Sequence, residues 1–206
     1  MRCMLKRVCT AFYYSIKMKE GHAMIFEPKQ ITLKDGRNAI LRSPAPEDAA
    51  KHLNFIRTST GETDFLVMYP EEYTMSDEDE ASWIRGCNES PYSMLISCYI
   101  GETLAGSCNL RLNSSIKTRH RAEIGIAIIR EFWNLGIGTA MFTAINERAV
   151  ALGISVLELE YTEGNERAKH LYEKMGFRTL CEKPNSLRLK DGSLLSEFYM
   201  QKVIGK

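Results

Sequence analysis

A mixed α/β fold, with one sheet carrying helices on both faces, is the prediction from three features of this 206-residue chain. The first is a strand, glycine turn and helix over Ala122–Met141, AEIGIAIIREFWNLGIGTAM. The second is a pair of tight-turn signals, Asp35-Gly36 and Asp191-Gly192, each between strand-like runs. The third is the interleaving of periodicities along the chain, which gives the order β-β-α-α-β-β-β-α-β-α-β-β.

Residues 1–23 are expected to be an N-terminal extension outside the core, and residues 24–206 a single domain. Val8–Ile16 is uncharged and flanked by basic residues, as in a short signal peptide, but no small-residue cleavage site follows. Two readings of the extension stay open: a basic tail that touches a membrane or partner, or a functional domain that begins at Met24. Ile31–Lys34 and Arg37–Arg42 then flank the first turn. Pro44, Pro46, Glu47 and Asp48 introduce a helix with Ala49, Leu53 and Ile56 on its apolar side. Ser76, with Asp79 three residues on, reads as a capping box opening a second helix through Ala81, Trp83 and Ile84. Around that start lie Glu71, Glu72, Asp77, Glu78, Asp79 and Glu80. This run is either a solvated helix start favoured by the dipole or an acidic rim that draws in a cationic amine. Tyr92–Ile100 and Thr103–Asn113 are two further strands around Gly101-Glu102.

In the central segment Ile124, Ile126 and Ile128 alternate with Glu123, Gly125 and Ala127, so one strand face is apolar and the other small. Gly136-Ile137-Gly138 opens a helix with Met141, Ala144, Ile145, Ala149 and Leu152 in one stripe and Gly153 at its stop. The first amides of a helix have no intrahelical partner and sit at the positive end of its dipole, and glycines let an anion approach them. Two better-known phosphate motifs are absent. A dinucleotide fingerprint needs a third glycine where Met141 stands, and Gly101-x-x-x-x-Gly106 is followed by Ser107 and Cys108 with no P-loop lysine. Ile154–Tyr161 is a strand, residues 165–175 a helix, and Phe177–Glu182 and Leu194–Lys202 are closing strands.

Composition narrows the function. The chain is 44% hydrophobic and 26% charged with net charge +1, but residues 1–19 hold Arg2, Lys6, Arg7, Lys17 and Lys19 and no acid. Without those five, 22 basic residues face 26 acidic ones, a balance that argues against a nucleic-acid partner for the folded part. The six cysteines form no C-x-x-C pair, which suggests neither zinc nor a disulfide framework and makes the cytoplasm the expected location. The sequons at Asn88 and Asn113 then have no role. The four histidines show no ligand spacing, no metal is required, and no apolar run is long enough to span a membrane. The chain is compatible with a homodimer without specifying one.

FWNLGIGTAM at 132–141, followed after one strand by N-E-R-A-K-H-L-Y-E-K-M-G-F at 165–177, resembles the GNAT superfamily of N-acetyltransferases. The likeness, to a ribosomal-protein and small-molecule acetyltransferase-like branch, covers roughly residues 37–202. The usual motif has Gln or Arg three residues before the first glycine, where this chain has Trp133. The resemblance implies a mixed, mostly antiparallel sheet of six to seven strands, with the fourth and fifth splayed around acetyl-CoA and the former commonly bulged. It implies that the backbone of Leu135, Gly136, Ile137, Gly138, Thr139 and Ala140 holds the pyrophosphate. Amides near Ile126, Ala127 and Ile128 would hold the thioester carbonyl, and Asn165 the cofactor arm. It further implies that Tyr172 contacts acetyl-CoA and protonates the departing thiolate. Asn165 is equally a helix N-cap, and Tyr172 falls in the apolar stripe Ala168, Leu171, Tyr172, Met175, so core packing is its alternative.

An amine acceptor arrives mostly as ammonium, because alkylamine pKa values lie near 10, and a base is needed. Glu123, at the start of the central strand on its small-residue face, is the candidate, with Glu160 or a water relay as alternatives. The family's x-D-x-x-x-M pattern in the last strand is replaced here by Ser196 and Met200. The expected function is acetyl transfer from acetyl-CoA to a primary amine of a small molecule or a protein N-terminus by direct attack. A non-catalytic acyl-CoA sensor or interaction module is the alternative, and a nucleotide-binding protein a third reading.

Overall fold

The computed structural model of the protein describes residues 23–204, so all but the last residue of the expected extension lies outside the described residues. β1 (Lys29–Thr32) and β2 (Asn38–Arg42) form the first hairpin. Asp35 accepts the Arg37 amide at 3.1 Å across its turn, and Gly36 takes the left-handed φ of 87° that a side chain would resist. α1 (Ala49–Gly61) follows Pro46 and Asp48, whose carboxylate accepts from the Arg42 guanidinium at 2.7 and 3.0 Å and from the Ala45 amide at 2.8 Å. α2 (Asp77–Glu89) opens with the capping box: the Ser76 hydroxyl accepts the Asp79 amide at 3.1 Å, and the Asp79 carboxylate accepts the Ser76 amide at 3.2 Å.

β3 (Ser93–Ile100), β4 (Thr103–Leu112) and β5 (Arg121–Ile128) continue as an antiparallel meander. α3 (Ile137–Ala151), β6 (Val156–Thr162), α4 (Glu166–Lys174), β7 (Arg178–Arg188) and β8 (Leu194–Val203) complete the chain. All strands join one sheet in the order β1-β2-β3-β4-β5-β6-β8-β7, antiparallel except at β5–β6. The sheet has eight strands, against the six to seven implied by the resemblance, because the short β1 pairs with β2 along its whole length and adds an edge. β7 runs beyond the predicted Glu182. It is the other edge strand, where Pro184 costs no ladder bond, and its register shifts between Lys183 and Leu187.

The α3 stripe Met141, Ala144, Ile145 and Ala149 is no more than 1% exposed and packs on β4 and β5 with Leu110, Ile124 and Leu157. Burying each large side chain of this kind contributes roughly 1.5–3 kcal/mol. α1 contacts β4 and α2 contacts β3, and α1 residues Ser59 and Thr63 of the following loop face Ala127 on the side of β5 away from α3.

The feature that positions the site is the short seam between β5 and β6. Their parallel ladder holds only Arg121↔Val156, Ala122↔Leu157 and Glu123↔Glu158, and beyond it the strands diverge. Counted without the short β1, the strands expected to splay are β5 and β6, and these do part, but the bulge is absent: β5 pairs with β4 in unbroken register from Gly106↔Ile128 to Leu112↔Ala122. The strands part although each is regular against its other neighbour, β5 against β4 and β6 against β8.

Candidate active site

An unbroken register fixes which way each β5 amide points. The Ile129 amide donates to the Ala105 carbonyl at 3.0 Å, so the two-residue alternation turns the amides of Ala127 and Gly125 toward β4 and those of Ile126 and Ile128 toward the gap. The Gly125 amide also meets Asn109 Oδ1 at 2.9 Å, and a Cβ on Gly125 would lie 2.6 Å from that oxygen. The Ile128 carbonyl, on the gap side, accepts from Trp133 Nε1 at 2.7 Å. Trp133 thus seals one backbone group of the open edge and leaves the Ile126 and Ile128 amides for a ligand.

A trough follows this edge in three connected parts. The middle part, about 320 Å³, is walled by Ile126, Ala127 and Ile128 on one side and by Asn165, Leu171 and Tyr172 on the other, under Phe65 and Leu66. It opens at one end into a cavity of about 740 Å³ around Gly136, Ile137, Gly138 and Thr139. The other end opens into a cleft of about 550 Å³ floored by the polar side of β4, β5, β6 and β8.

The outer cavity is bordered by unpaired helix-start amides of the kind that suit an anion. Gly136 caps α3 with φ 94° and ψ −2°, no side chain caps the helix, and among the described residues the amides of 135–139 donate to no protein acceptor. Ala140, grouped with them in the sequence reading, gives its amide to the Gly136 carbonyl at 3.0 Å, and neither Leu135 nor Ala140 lines the cavity. The two glycines serve different needs. Gly136 supplies a backbone conformation, whereas a Cβ on Gly138 would lie 2.7 Å from Leu171 Cδ2, so Gly138 lets α3 and α4 approach. Lys34, Arg167, Lys169, His170 and Lys174 surround the cavity against Glu166 and Glu173. Arg167 lies 4.3 Å over the Trp133 ring and donates to Asn134 Oδ1 at 2.6 Å. Trp133 at the usual Gln or Arg position is thus accompanied by a guanidinium from α4. Arg167 sits inside the second motif and was legible there; Lys34 comes from the first hairpin, and nothing in the sequence connects it to this place.

Tyr172 stands where the middle part meets the cleft, 6% exposed, with its ring edge-on to Phe142 at 5.5 Å. Burial pushes its phenol well above the usual tyrosine range, so it stays protonated. Both readings of this residue coexist: the ring is core, and the side chain also reaches the cavity lining. Asn165 also keeps both, capping α4 by accepting the Ala168 amide at 3.2 Å while lining the middle part.

On the cleft floor Glu123 is at the rim, half exposed and paired with Arg111 at 2.6 Å. Glu160 is paired with Lys183. Between them, and absent from the sequence reading, is Glu158, only 6% exposed and lining the cleft with Tyr199. Burial alone would raise its carboxyl, but hydrogen bonds from Tyr199, Arg121 and Gln201 outweigh it and hold the group below the usual glutamate range. The E-L-E alternation of β6 was the signal available for it. None of the acids at 71–80 lines the cleft. Glu71 pairs with Lys190, Glu72 accepts the Tyr69 amide, Asp79 caps α2, and Glu80 is buried with its Oε1 2.5 Å from His52 Nδ1. Their work is to build the α1–α2 connection. His120 is exposed, its carbonyl accepting the Ser155 and Val156 amides. Among the described residues no cluster of three or more His, Cys, Asp or Glu could hold a metal ion, and no helix is long and apolar enough to cross a membrane.

The family model of the Acetyltransferase (GNAT) family matches residues 61–177, more than half of the chain. An acetyltransferase of the GNAT family from Streptococcus pneumoniae superposes with a TM-score of 0.75 at 25% identity, over 81% of this chain and 99% of that one. A Salmonella typhimurium structure that contains its cofactor acetyl-CoA superposes with a TM-score of 0.70 at 15% identity, over 82% and 95%. A ribosomal-protein-alanine N-acetyltransferase from Brucella melitensis gives 0.68 at 19% identity, over 80% and 99%. The last two, at their identities, speak for the fold alone. No curated protein matches the chain in sequence. The matched residues carry the open β5 edge, the uncapped α3 and Tyr172 alike, and the chain belongs to the GNAT family of acetyltransferases.

Proposed function

We propose that this protein is an acetyl-CoA-dependent N-acetyltransferase that moves the acetyl group to a primary amine of a small molecule or a protein N-terminus by direct attack. The observation that carries the reading is the continuity of the trough. Through shared lining residues it joins the free amides of 136–139, the gap-facing amides of Ile126 and Ile128, and the Tyr172 side chain. A pyrophosphate fits the first group, with Arg167 and Lys34 beside it, and an extended arm fits the unpaired strand edge next to Asn165. Bound acetyl-CoA would supply an activated acyl carbon. The gap-facing amides would hold the oxygen that gains charge as the amine nitrogen adds. Glu123, or a water it holds, takes the ammonium proton first. Once bonded to the acyl carbon, the nitrogen would lose its second proton through water to the Tyr172 oxygen as that hydroxyl gives its own proton to the sulfur leaving with the C–S bond. The tyrosine then ends neutral, and the products are the amide and the free CoA thiol. A cytoplasmic setting accords with the free thiols of Cys87, Cys98, Cys108 and Cys181.

The test is a primary-amine panel, including amino acids, polyamines and N-terminal peptides, read by release of free CoA. At least one amine should turn over. Tyr172→Phe should lower kcat by about 10²-fold, within the span of a general acid, with acetyl-CoA affinity within threefold of wild type. Acetyl-CoA binding with no turnover on any amine would favour the sensor reading, and full activity of Tyr172→Phe at all pH values would remove the proton-donor role.

A further inference from the structure

We infer that Glu158 is the residue that receives the acceptor, its Oε2 taking a hydrogen bond from the arriving ammonium group and so fixing the position of the nitrogen. This deepens the acetyltransferase reading and rests on it.

The Glu158 carboxylate is asymmetrically satisfied. Every donor to Glu158 converges on Oε1: Arg121 Nε at 2.7 Å, Arg121 Nη2, the Tyr199 hydroxyl at 2.5 Å and Gln201 Nε2 at 3.2 Å. Oε2 accepts from none of the described residues, although the side chain is over nine-tenths buried and lines the cleft that also holds Tyr172. Oε2 is not among the buried side-chain atoms that lack a partner, so it is the part of this carboxylate that opens to the cleft and that a ligand can reach. The four donors lock the group in one orientation through β5 and β8, so the open oxygen points from a rigid base. They also keep the group ionised near neutral pH, with Arg121 as its ion-pair partner at Oε1 and Oε2 left to accept from a cation.

The neighbouring acids are less suited. Glu123 and Glu160, like Glu158, are each paired with one cation, but both are much more exposed than Glu158 and neither has its further donors. Glu197, half-buried on β8, is the remaining acid of the cleft and has no locking partners among the described residues. The substrate class follows: an acceptor that enters protonated, with the ammonium at the end that penetrates the cleft. An aniline-like or otherwise uncharged amine lacks the cation this carboxylate selects.

Glu158→Gln keeps an oxygen for the Oε1 donors and replaces Oε2 with a donor. On the amine that turns over best in the panel, its acceptor KM should rise about 10- to 100-fold, the worth of one charge-assisted hydrogen bond. kcat and the acetyl-CoA dissociation constant should stay within about threefold of wild type. A merely structural role would move acetyl-CoA affinity and the melting temperature together with KM. An unchanged acceptor KM alongside intact acetyl-CoA binding would overturn the inference, whereas loss of acetyl-CoA binding by the wild-type protein would overturn the function itself. A second measurement needs no variant. Crystals of the CoA-loaded wild-type protein soaked in n-butylammonium should place the nitrogen within hydrogen-bond distance of Glu158 Oε2. A nitrogen seated at Glu123, Glu160 or Glu197 instead would overturn the inference.

Discussion

Gly138→Ala tests the joint between α3 and α4, and its two consequences differ in size. The new Cβ would lie 2.7 Å from Leu171 Cδ2, whereas ordinary contact begins at 3.4 Å, so that methyl has to retreat by about 0.7 Å, the difference of the two. Ile128 Cδ1, at 3.4 Å, blocks movement on the strand side. Leu171 lines both the outer and the middle parts of the trough, so its open direction is into the ligand space. Overpacking of this kind costs about 1–3 kcal/mol, and exchanging glycine for alanine in a helix returns about 1 kcal/mol. The net destabilisation is about 0–2 kcal/mol, a fall in melting temperature of at most about 8 °C for a chain of this size. Affinity for acetyl-CoA should fall more visibly, by about tenfold or more, because the displaced methyl narrows the groove. Calorimetric titration with acetyl-CoA beside a thermal melt separates the two effects. Adding Leu171→Ala to Gly138→Ala should restore much of the lost affinity by removing the clashing methyl. Wild-type affinity in Gly138→Ala, or no recovery in the double variant, would refute the packing argument.

Two further outcomes concern the frame of the site. Burial alone would raise the Asp48 carboxyl, but the Arg42 guanidinium and the Ala45 amide outweigh it and hold the group below the usual aspartate range. Its folded pKa lies under the unfolded value of about 3.9, so its contribution is present above about pH 4 and lost as pH falls through the folded value. Asp48→Asn should therefore lower stability by about 2 kcal/mol at neutral pH; in melts across pH the gap to wild type should close below about pH 4. Trp133→Phe removes the donor to the Ile128 carbonyl and the better ring under Arg167; thermal melts should show a loss of about 1–2 kcal/mol, and acetyl-CoA titration a weakening under tenfold.

What the sequence disclosed follows from how local each signal is. The capping box at Ser76, the Asp35-Gly36 and Asp191-Gly192 turns and the α3 stripe all lie within a few residues, and each formed where its chemistry required. Tyr172 and Asn165 were readable because one short motif carries both. The rest of the site is assembled at long range. Lys34, Asn109 and Phe65 reach the trough from three separate elements, and no periodicity in their own segments marks them as lining. Glu158 was hidden for a different reason. Strand alternation places it with Glu160 on one polar side, and what separates them is long-range: Glu158 lies within the β5–β6 seam and gathers Arg121 from β5 with Tyr199 and Gln201 from β8, whereas Glu160 lies beyond the seam. Of the two readings of the acidic run at 71–80, the helix start is the one the structure bears out, with Asp77, Glu78, Asp79 and Glu80 in the first turn of α2 and none of the run lining the cleft.

The three-pair seam between β5 and β6 divides the sheet into a five-strand block and a three-strand block that share few direct links. Such a molecule behaves mechanically as two plates joined along one edge, and a ligand laid in the opening supplies the missing strand between them. Deuterium uptake at the Ile126 and Ile128 amides should be rapid in the empty protein and slow once the gap is filled, making these two positions a local gauge of occupancy.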